Sequence, residues 1–400
     1  MQPGERRGER WIPRLFALGL GLVLLWEYAP QLRAWFAPLD AGPHLPSAAP
    51  TAPTPTALPA PTQSPTAAAP LPAPVAPEAP LAAPRLRRRG PLTGVDDFSS
   101  EGMEAELGPD GQVLLTSKYA VQRYAGADLH DRRRLFSPQL YLEQFPEGRP
   151  QALASALALP GERYVLGGWH GEVLFWEDGR LRQLSDGQRR PRGRIADLLA
   201  ADGEVWVAGD GLWRLRADGQ GLQEIPTPGL GRIRALAQRP GGPRLVGADV
   251  GGIHRWTGER LEPWLALPPE VGQLQMLVPA RDGRWLLGTN KGLYRLPADG
   301  SSLDVLLAGV WVTAVAEPAA APDELWVGSW RQGLLLRRGG RWFRLGGGEE
   351  GLPVEAVSGL VIDPQDRLWL TLYGGGAWQA PRTALAESLR AWAPGPDPQD

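Results

Sequence analysis

The sequence predicts an all-β protein, because one pattern of short apolar segments and turn residues recurs seven times. Residues 324–345, ELWVGSWRQGLLLRRGGRWFRL, show three apolar bursts separated by GSWRQG and RRGGR. Copies lie about 40 residues apart with four strand-like segments each, the spacing of β-propeller blades. We therefore predict a seven-bladed β-propeller of four-stranded blades. The small residue opening the second burst marks each copy: Ala120, Gly171, Gly211, Gly252, Gly292, Gly333 and Gly376.

The composition agrees with one closed domain and excludes disulfides. The 400 residues include 51 glycines, 42 prolines and 17 tryptophans, which suit many tight turns around a packed core. The formal net charge of -2 gives no indication of a nucleic-acid partner. Cysteine is absent, which excludes disulfides. We assign the propeller to residues 91–382.

The N-terminal region combines a basic flank with an apolar run. Several arginines precede residues 15–26, LFALGLGLVLLW. This run is shorter than the roughly 20 residues that a membrane-spanning helix needs, but residues 11–36 are long enough. We predict a cytoplasmic basic tail over residues 1–10 and a signal anchor over residues 11–36. A cleaved signal peptide is the alternative, although the bulky WEYAPQLRAWF offers no small-x-small cleavage site. The basic flank stays in the cytoplasm, so the propeller of this single-pass inner-membrane protein would lie in the periplasm or extracytoplasmic space.

A spacer is predicted between the anchor and the propeller. About a third of residues 41–84 are proline, and such a segment cannot bury a core. It favours extended polyproline geometry. We therefore interpret residues 37–90 as a disordered Pro/Ala-rich linker, which ends in the solvated basic run RLRRRG.

The fifth repeat shows how one copy makes a blade. QLQMLVPA, RWLLG, LYRLP and LDVLL predict four strands, and RDG, TNKG and ADGSS predict the turns between them. Asp-Gly pairs recur along the chain, each alone between two strands, which indicates hairpin turns rather than a metal site. The interval between the first two copies is about ten residues longer than the others, so we predict an insertion within residues 126–150.

Two positions in the second strand predict the packing between blades. Small residues end this strand, which we attribute to crowding near the central axis: Thr116, Gly167, Ala208, Gly247, Gly288, Gly328 and Thr371. Large apolar residues stand two positions earlier and are predicted to fill the space between neighbouring blades: Leu114, Val165, Trp206, Leu245, Leu286, Trp326 and Trp369.

The last repeat lacks a fourth strand. Residues 382–392, RTALAESLRAW, have a helical pattern instead, so we predict a C-terminal helix and tail over residues 383–400. Residues 91–98, PLTGVDDF, precede the first repeat and have no partner there. We predict that they supply the missing outer strand and close the ring.

The seventh copy resembles a known bacterial repeat. Residues 349–379 contain Gly-Leu-Pro, an apolar strand, Asp363, then Leu368–Trp369 and Gly375–Gly376. This order is similar to the two-component regulator propeller repeat of bacterial sensors, although Thr371 stands where glycine is usual. The resemblance covers about residues 113–380. It implies an extracytoplasmic sensor propeller, which in that family is usually joined to a histidine kinase. These 400 residues contain no kinase motif, so it implies recognition without a particular signalling output.

The loops between second and third strands are the predicted binding face. We expect them to open together near the central channel, and aromatic residues with polar neighbours suit a protein partner or a polysaccharide such as peptidoglycan. The sequence shows no metal-site spacing and no cofactor loop, so we predict neither. An enzymatic alternative is a lyase- or hydrolase-like propeller that uses His170 with nearby acids such as Glu172. The predicted binding residues are Tyr119, Trp169, His170, Asp210, Asp249, Asn290, Lys291, Trp330, Arg331, Gln332 and Tyr373.

Overall fold

A computed structural model describes residues 86–95, 101–126, 129, 131–184, 189–347 and 351–394. The predicted basic tail, the signal anchor and nearly all of the linker lie outside these described residues. Within the described residues, no helix combines the length and the apolar character that crossing a membrane requires.

The strands form seven antiparallel sheets in which the strands of one repeat pair in chain order, which confirms the predicted propeller. Two of these sheets each contain additional strands from the ends of the described chain. The chain first forms β1 (Leu86–Arg89) and β2 (Leu92–Val95). Blade 1 is β3 (Gly102–Leu107), β4 (Val113–Ser117), β5 (Ala120–Tyr124) and β6 (Arg132–Phe136). Blade 2 is β7 (Leu153–Leu159), β8 (Arg163–Gly168), β9 (Val173–Glu177) and β10 (Arg180–Leu184). Blade 3 is β11 (Asp197–Ala201), β12 (Glu204–Gly209), β13 (Gly211–Arg216) and β14 (Gln223–Ile225).

The second half of the ring repeats the arrangement. Blade 4 is β15 (Ile233–Gln238), β16 (Arg244–Ala248), β17 (Ile253–Trp256) and β18 (Leu261–Leu265). Blade 5 follows a 3-10 helix (Pro269–Val271) and is β19 (Leu274–Pro279), β20 (Trp285–Thr289), β21 (Gly292–Leu296) and β22 (Asp304–Ala308). Blade 6 is β23 (Val312–Ala316), β24 (Glu324–Ser329), β25 (Leu334–Arg338) and β26 (Arg341–Leu345). Blade 7 begins with β27 (Val357–Ile362), β28 (Arg367–Leu372) and β29 (Gly376–Pro381).

The N-terminal strand closes the ring as predicted. β2 pairs with β29, with Thr93 opposite Gln379, and so supplies the fourth strand of blade 7. The start of the domain needs correction, because β1 lies within the range predicted as linker and pairs with β2. Adding β1 satisfies the backbone groups along one edge of β2 that would otherwise lack partners.

The C-terminal segment is only partly helical. Its helix, Arg382–Ser388, is followed by β30 (Arg390–Trp392), which pairs with β26 as a fifth strand of blade 6. The prediction of a helix and tail therefore missed this strand. The predicted insertion in blade 1 is also helical: α1 (Pro138–Gln144) is capped by Ser137, whose Oγ accepts the Leu140 N–H at 3.2 Å. In chain order the C-terminal helix is α2.

The interior lies between neighbouring blades, where the large apolar residues of the second strands are buried. Trp206, Trp326 and Trp369 are each no more than 1 % exposed, as predicted. Crowding between blades also accounts for the small residues that end these strands, as predicted. A Cβ on Gly328 would lie 2.7 Å from Val357, and one on Gly247 would clash with Leu274. These neighbours open the first strand of the next blade, so contact between blades demands the small residue.

The first strands contact one another around the ring and surround a central channel. Their inner edges carry backbone groups without a strand partner, and side chains from the preceding blade satisfy several of them. In blade 2 the N–H groups of Ala156 and Ala158 donate to Glu104 at 3.0 Å and Glu106 at 3.3 Å. Asp197 accepts the Leu236 N–H of blade 4 at 2.7 Å. Similarly, Thr313 donates to the Val357 carbonyl and Ser358 to the Gly102 carbonyl.

Candidate functional site

The loops between second and third strands lie on one face of the ring, as predicted. In every blade a backbone N–H of this loop donates to a carbonyl just ahead of the first strand of the same blade. The pairs are Lys118–Glu101, Trp169–Ala152, Asp210–Arg192, Asp249–Arg232, Asn290–Gln273, Trp330–Trp311 and Tyr373–Ala356. We call this face, formed by the seven loops and the residues that precede the seven first strands, the channel mouth.

Three aromatic residues form an arc on one side of the channel mouth. The Trp311 and Trp330 ring centroids are 5.8 Å apart, and those of Trp330 and Tyr373 are 5.3 Å apart. All three are half-buried. The indole N–H of Trp311 is buried without a hydrogen-bond partner. The arc therefore presents partly exposed aromatic ring surface of the kind that Trp and Tyr use in recognition.

Three arginines lie at the channel mouth in blades 3 and 4. Arg234 forms two bonds to Asp249, at 2.7 and 3.1 Å. Arg232 lies 3.4 Å from the Asp210 carboxylate and donates to the Arg194 carbonyl at 2.8 Å.

Arg194 differs from the other two arginines. Its guanidinium lies 4.9 Å from the centroid of the Trp169 ring, and, unlike Arg232 and Arg234, it forms no ion pair with a carboxylate of the described residues. Its Nε, like that of Arg232, is buried without a hydrogen-bond partner. Desolvation, followed by the nearby charges of Arg232 and Arg234, lowers the pKa of Arg194. A guanidinium remains protonated in proteins despite such a shift, so Arg194 holds a positive charge on a partly buried side chain.

Carboxyl groups line the channel beneath these arginines. Burial, and then the charge of Asp197, raises the pKa of Glu104 to about 8. Burial also raises the pKa of Asp197 to about 7, although the N–H groups of Leu236 and Leu198 oppose the shift. Burial, with the neighbouring Glu104, raises the pKa of Glu106 well above its ordinary value. At neutral pH the channel therefore carries much less negative charge than its three carboxyl groups would suggest.

Glu104 should make the protein less stable as the pH rises. Its pKa is about 8 in the folded protein, against an ordinary value of 4.5, so the folded chain binds more protons than the unfolded chain between these limits. Glu104 therefore contributes fully to the free energy of unfolding below pH 4.5, and this contribution is lost as the pH rises through about 8. Glu104→Gln keeps an oxygen that can accept the Ala156 N–H but does not titrate. We expect the melting temperature of the wild type to fall relative to that of Glu104→Gln between pH 5 and about pH 8.5.

Thermal unfolding of both proteins across this pH range measures the effect. Glu147→Gln, on an exposed side chain, controls for the loss of one carboxyl group. A difference in melting temperature between the wild type and Glu104→Gln that stays constant over this pH range would contradict the prediction.

The structure brings some of the predicted binding residues together and gives others local roles. Trp330 and Tyr373 belong to the aromatic arc at the channel mouth, and Trp169 lies there against the Arg194 guanidinium. Asp210 and Asp249 neutralise Arg232 and Arg234. The remaining predicted residues have turn contacts or exposed side chains. Asn290 accepts the Gln273 N–H at 2.7 Å, and the Gln332 N–H donates to the Ser329 hydroxyl. The Tyr119 ring lies under the Lys118 ammonium. The side chains of Lys291 and Arg331 are exposed.

His170 is exposed, and its backbone N–H donates to the buried carboxylate of Glu172 at 3.0 Å. The structure therefore shows a backbone contact between these two residues rather than a bond to the imidazole ring. Across the described residues, no cluster of His, Cys, Asp and Glu side chains could hold a metal ion.

Sequence reasoning missed Trp311 and the three arginines, because it considered only the loops between second and third strands. Each missed residue lies just before a first strand or within its first two positions. The backbone pairing described above places those positions at the same face. Their location one to three residues from the start of a predicted first strand could have identified them.

Comparisons with known proteins identify the fold. No protein-family model matches the sequence, and no curated protein matches it. Among solved structures, the chain is similar to the extracellular domain described as that of a hybrid two-component system from B. thetaiotaomicron. That match has 12 % identity and a TM-score of 0.58, and it covers 71 % of this chain and 40 % of the other. The chain thus spans well under half of that sensor domain.

Other structural neighbours have different described roles. One is PorZ, a bacterial surface component of the type-IX secretion system of Porphyromonas gingivalis, with 14 % identity, a TM-score of 0.55, and coverage of 72 % of this chain and 47 % of that one. Another is virginiamycin B lyase from Staphylococcus aureus, with 11 % identity, a TM-score of 0.54, and coverage of 74 % and 98 %. At these identities the likeness establishes the propeller fold. An extracellular domain of a two-component system is among these neighbours.

Proposed function

We propose that the protein is an extracytoplasmic recognition or scaffold module that binds a protein partner or a glycan at its channel mouth. The observation that carries this proposal is the aromatic arc of Trp311, Trp330 and Tyr373, which faces arginines across the same opening. Exposed aromatic surface has a solvation cost unless a partner covers it, and Trp, Tyr and Arg dominate the binding energy of protein interfaces.

Substitutions in the channel mouth should weaken binding without unfolding the protein. We expect Trp330→Ala and Trp169→Ala each to reduce the binding free energy by about 1–3 kcal/mol, the range for interface anchor residues. Titration calorimetry on ligands found by pull-down or glycan array measures this. Trp264→Ala is the matched control, because Trp264 is also half-buried but lies on β18, the outermost strand of blade 4. Equal loss of affinity in Trp264→Ala would show that the binding site lies elsewhere.

The proposal includes membrane anchoring through residues 11–36. It is supported by the basic flank ahead of the apolar run, because such flanks remain on the cytoplasmic side. Protease added to spheroplasts should therefore digest the propeller or its linker and spare residues 1–10. Recovery of the full-length chain from the cytoplasmic fraction would contradict this topology.

The enzymatic alternative, a lyase or hydrolase that depends on His170 and nearby acids, remains a prediction. It requires turnover that Glu172→Gln and His170→Ala both abolish. Binding without turnover, unaffected by these changes, would favour the recognition module.

A further inference from the structure

We propose that the channel mouth contains a subsite for one carboxylate of an acidic peptide segment, and that Arg194 is the residue that binds it. This inference rests on the proposed function of the channel mouth as a recognition surface and names the chemistry of its partner. It follows from the ion pairs at the channel mouth, from the partly buried position of Arg194 and from the aromatic rings around it.

The ion pairs at the channel mouth leave Arg194 without a carboxylate partner in the described part of the chain. Arg232 and Arg234 each have a carboxylate partner, Asp210 and Asp249 respectively. No carboxylate among the described residues forms an ion pair with Arg194, whose Nε also lacks a hydrogen-bond partner. The buried part of this charged group is removed from water without a partner, which is destabilising, and a carboxylate that pairs with the guanidinium offsets this cost. An incoming carboxylate would also form a charge-assisted bond, which can be bidentate with a guanidinium.

The groups beneath Arg194 do not take the place of that carboxylate. Glu104 and Asp197 use carboxyl oxygens to accept N–H groups of Ala156 and Leu236. Because burial raises the pKa of Glu104 to about 8, this group is largely uncharged at neutral pH. The other charged or titratable groups that act on Arg194 are Arg232 and Arg234, which add positive charge, and Tyr373. Because Asp210 and Asp249 form ion pairs with Arg232 and Arg234, Arg194 is the one of these three arginines whose charge no carboxylate of the described residues offsets through an ion pair.

The surroundings of Arg194 favour a peptide as the source of the carboxylate. The Trp169 ring lies against the Arg194 guanidinium, with its centroid 4.9 Å away, so a carboxylate approaches the edge of the guanidinium, where its N–H groups point. An Asp or Glu side chain carries its carboxylate on a slender extension that can reach this edge. A carboxylate bonded directly to a pyranose ring would bring the ring with it. The adjacent Trp330 and Tyr373 rings provide the aromatic surface typical of the centre of a protein interface.

Selection from a random twelve-residue peptide library on the purified protein tests the proposal. We expect the selected peptides to share one Asp or Glu flanked by apolar residues. Changing that residue to its amide in a synthetic peptide should weaken binding at least tenfold, and so should Arg194→Gln in the protein. The two changes together should weaken binding little more than either alone, because both remove the same ion pair.

Arg239→Gln is the matched control. Arg239 also stacks on a tryptophan, 4.1 Å from the Trp285 ring centroid, and its Nε also lacks a hydrogen-bond partner. It follows β15 and therefore lies at the opposite face, on the connection between a first and a second strand. Arg239→Gln should leave peptide affinity unchanged.

Several outcomes would overturn the subsite. These are a failure to select any peptide, selected peptides without a shared acidic residue, and peptides that bind Arg194→Gln as tightly as wild type. Binding of a galacturonate trimer, but not of its methyl ester, that Arg194→Gln abolishes would replace the peptide with an acidic glycan. If Trp330→Ala weakens binding of a selected peptide while Arg194→Gln does not, the result contradicts the carboxylate subsite but still supports the channel mouth as a binding surface. If neither substitution changes the affinity, the result contradicts the proposed function of the channel mouth as well.

Discussion

Glu324→Ala should lower the free energy of unfolding by about 3–5 kcal/mol, the cost of removing one partner from a buried ion pair. The Glu324 side chain is 5 % exposed and accepts from Arg382 at 2.5 Å, Arg338 at 2.8 Å and the Trp326 indole at 3.0 Å. Its removal leaves a buried indole N–H unsatisfied and leaves Arg382 bound to Asp366 alone. Since Arg382 begins the C-terminal helix, the loss also weakens the attachment of this helix to blade 6.

Urea unfolding of the purified protein measures this effect, and blade 3 supplies a matched control. There Glu204 accepts from the Trp206 indole at 3.1 Å and from Arg244 at 2.8 Å, in the same arrangement. Its side chain is 28 % exposed, so water can replace part of what is lost. We expect Glu204→Ala to cost clearly less than Glu324→Ala, and equal costs would show that burial does not set the strength of these networks.

Trp326→Ala should also destabilise the protein by about 3–5 kcal/mol, as large aromatic truncations in a packed core do. Trp326 is fully buried, in a cluster with residues of blade 7 such as Leu360 and Leu368. The substitution removes this contact between two blades and leaves a cavity that the rigid sheets can fill only in part. Thermal unfolding of the variant measures the loss.

Trp330→Ala is the comparison, because Trp330 lies four residues further along the chain at the channel mouth and is only half-buried. We expect this variant to retain most of the stability of the wild type. If it is destabilised as much as Trp326→Ala and the folded fraction binds normally, the mouth aromatics are structural residues. Glu324→Ala and Trp326→Ala share a hydrogen bond, so their costs should not add in the double variant.

The sequence predicted the number of blades and their core because these depend on local patterns. A repeat of about 40 residues fixes four strands and their turns, and the buried residue of each second strand can be read from one copy. The missing fourth strand of the last copy was also visible, which is why closure by β2 was predicted. The fifth strands β1 and β30 were not predicted, because an edge strand of three or four residues has no periodic pattern of its own.

The candidate site was predicted only in part. Trp169, Trp330 and Tyr373 were identified because aromatic residues are unnecessary in tight turns. Trp311 and Arg194 were missed, since only the loops between second and third strands were considered and not the residues just ahead of the first strands, which pair with those loops.

The sequence by itself determined the all-β class, the seven blades and the tryptophans between them, because each is set by residues close together in the chain. Only the tertiary structure decided which side chains meet at the channel mouth and what charge they carry. Ring closure brings Tyr373 within electrostatic range of Arg194, which is far from it in sequence. It also removes water from around the Glu104 carboxyl and so raises the pKa of that carboxyl to about 8. The physical reason is that desolvation and charge interactions depend on distance in space, which a repeat pattern does not specify.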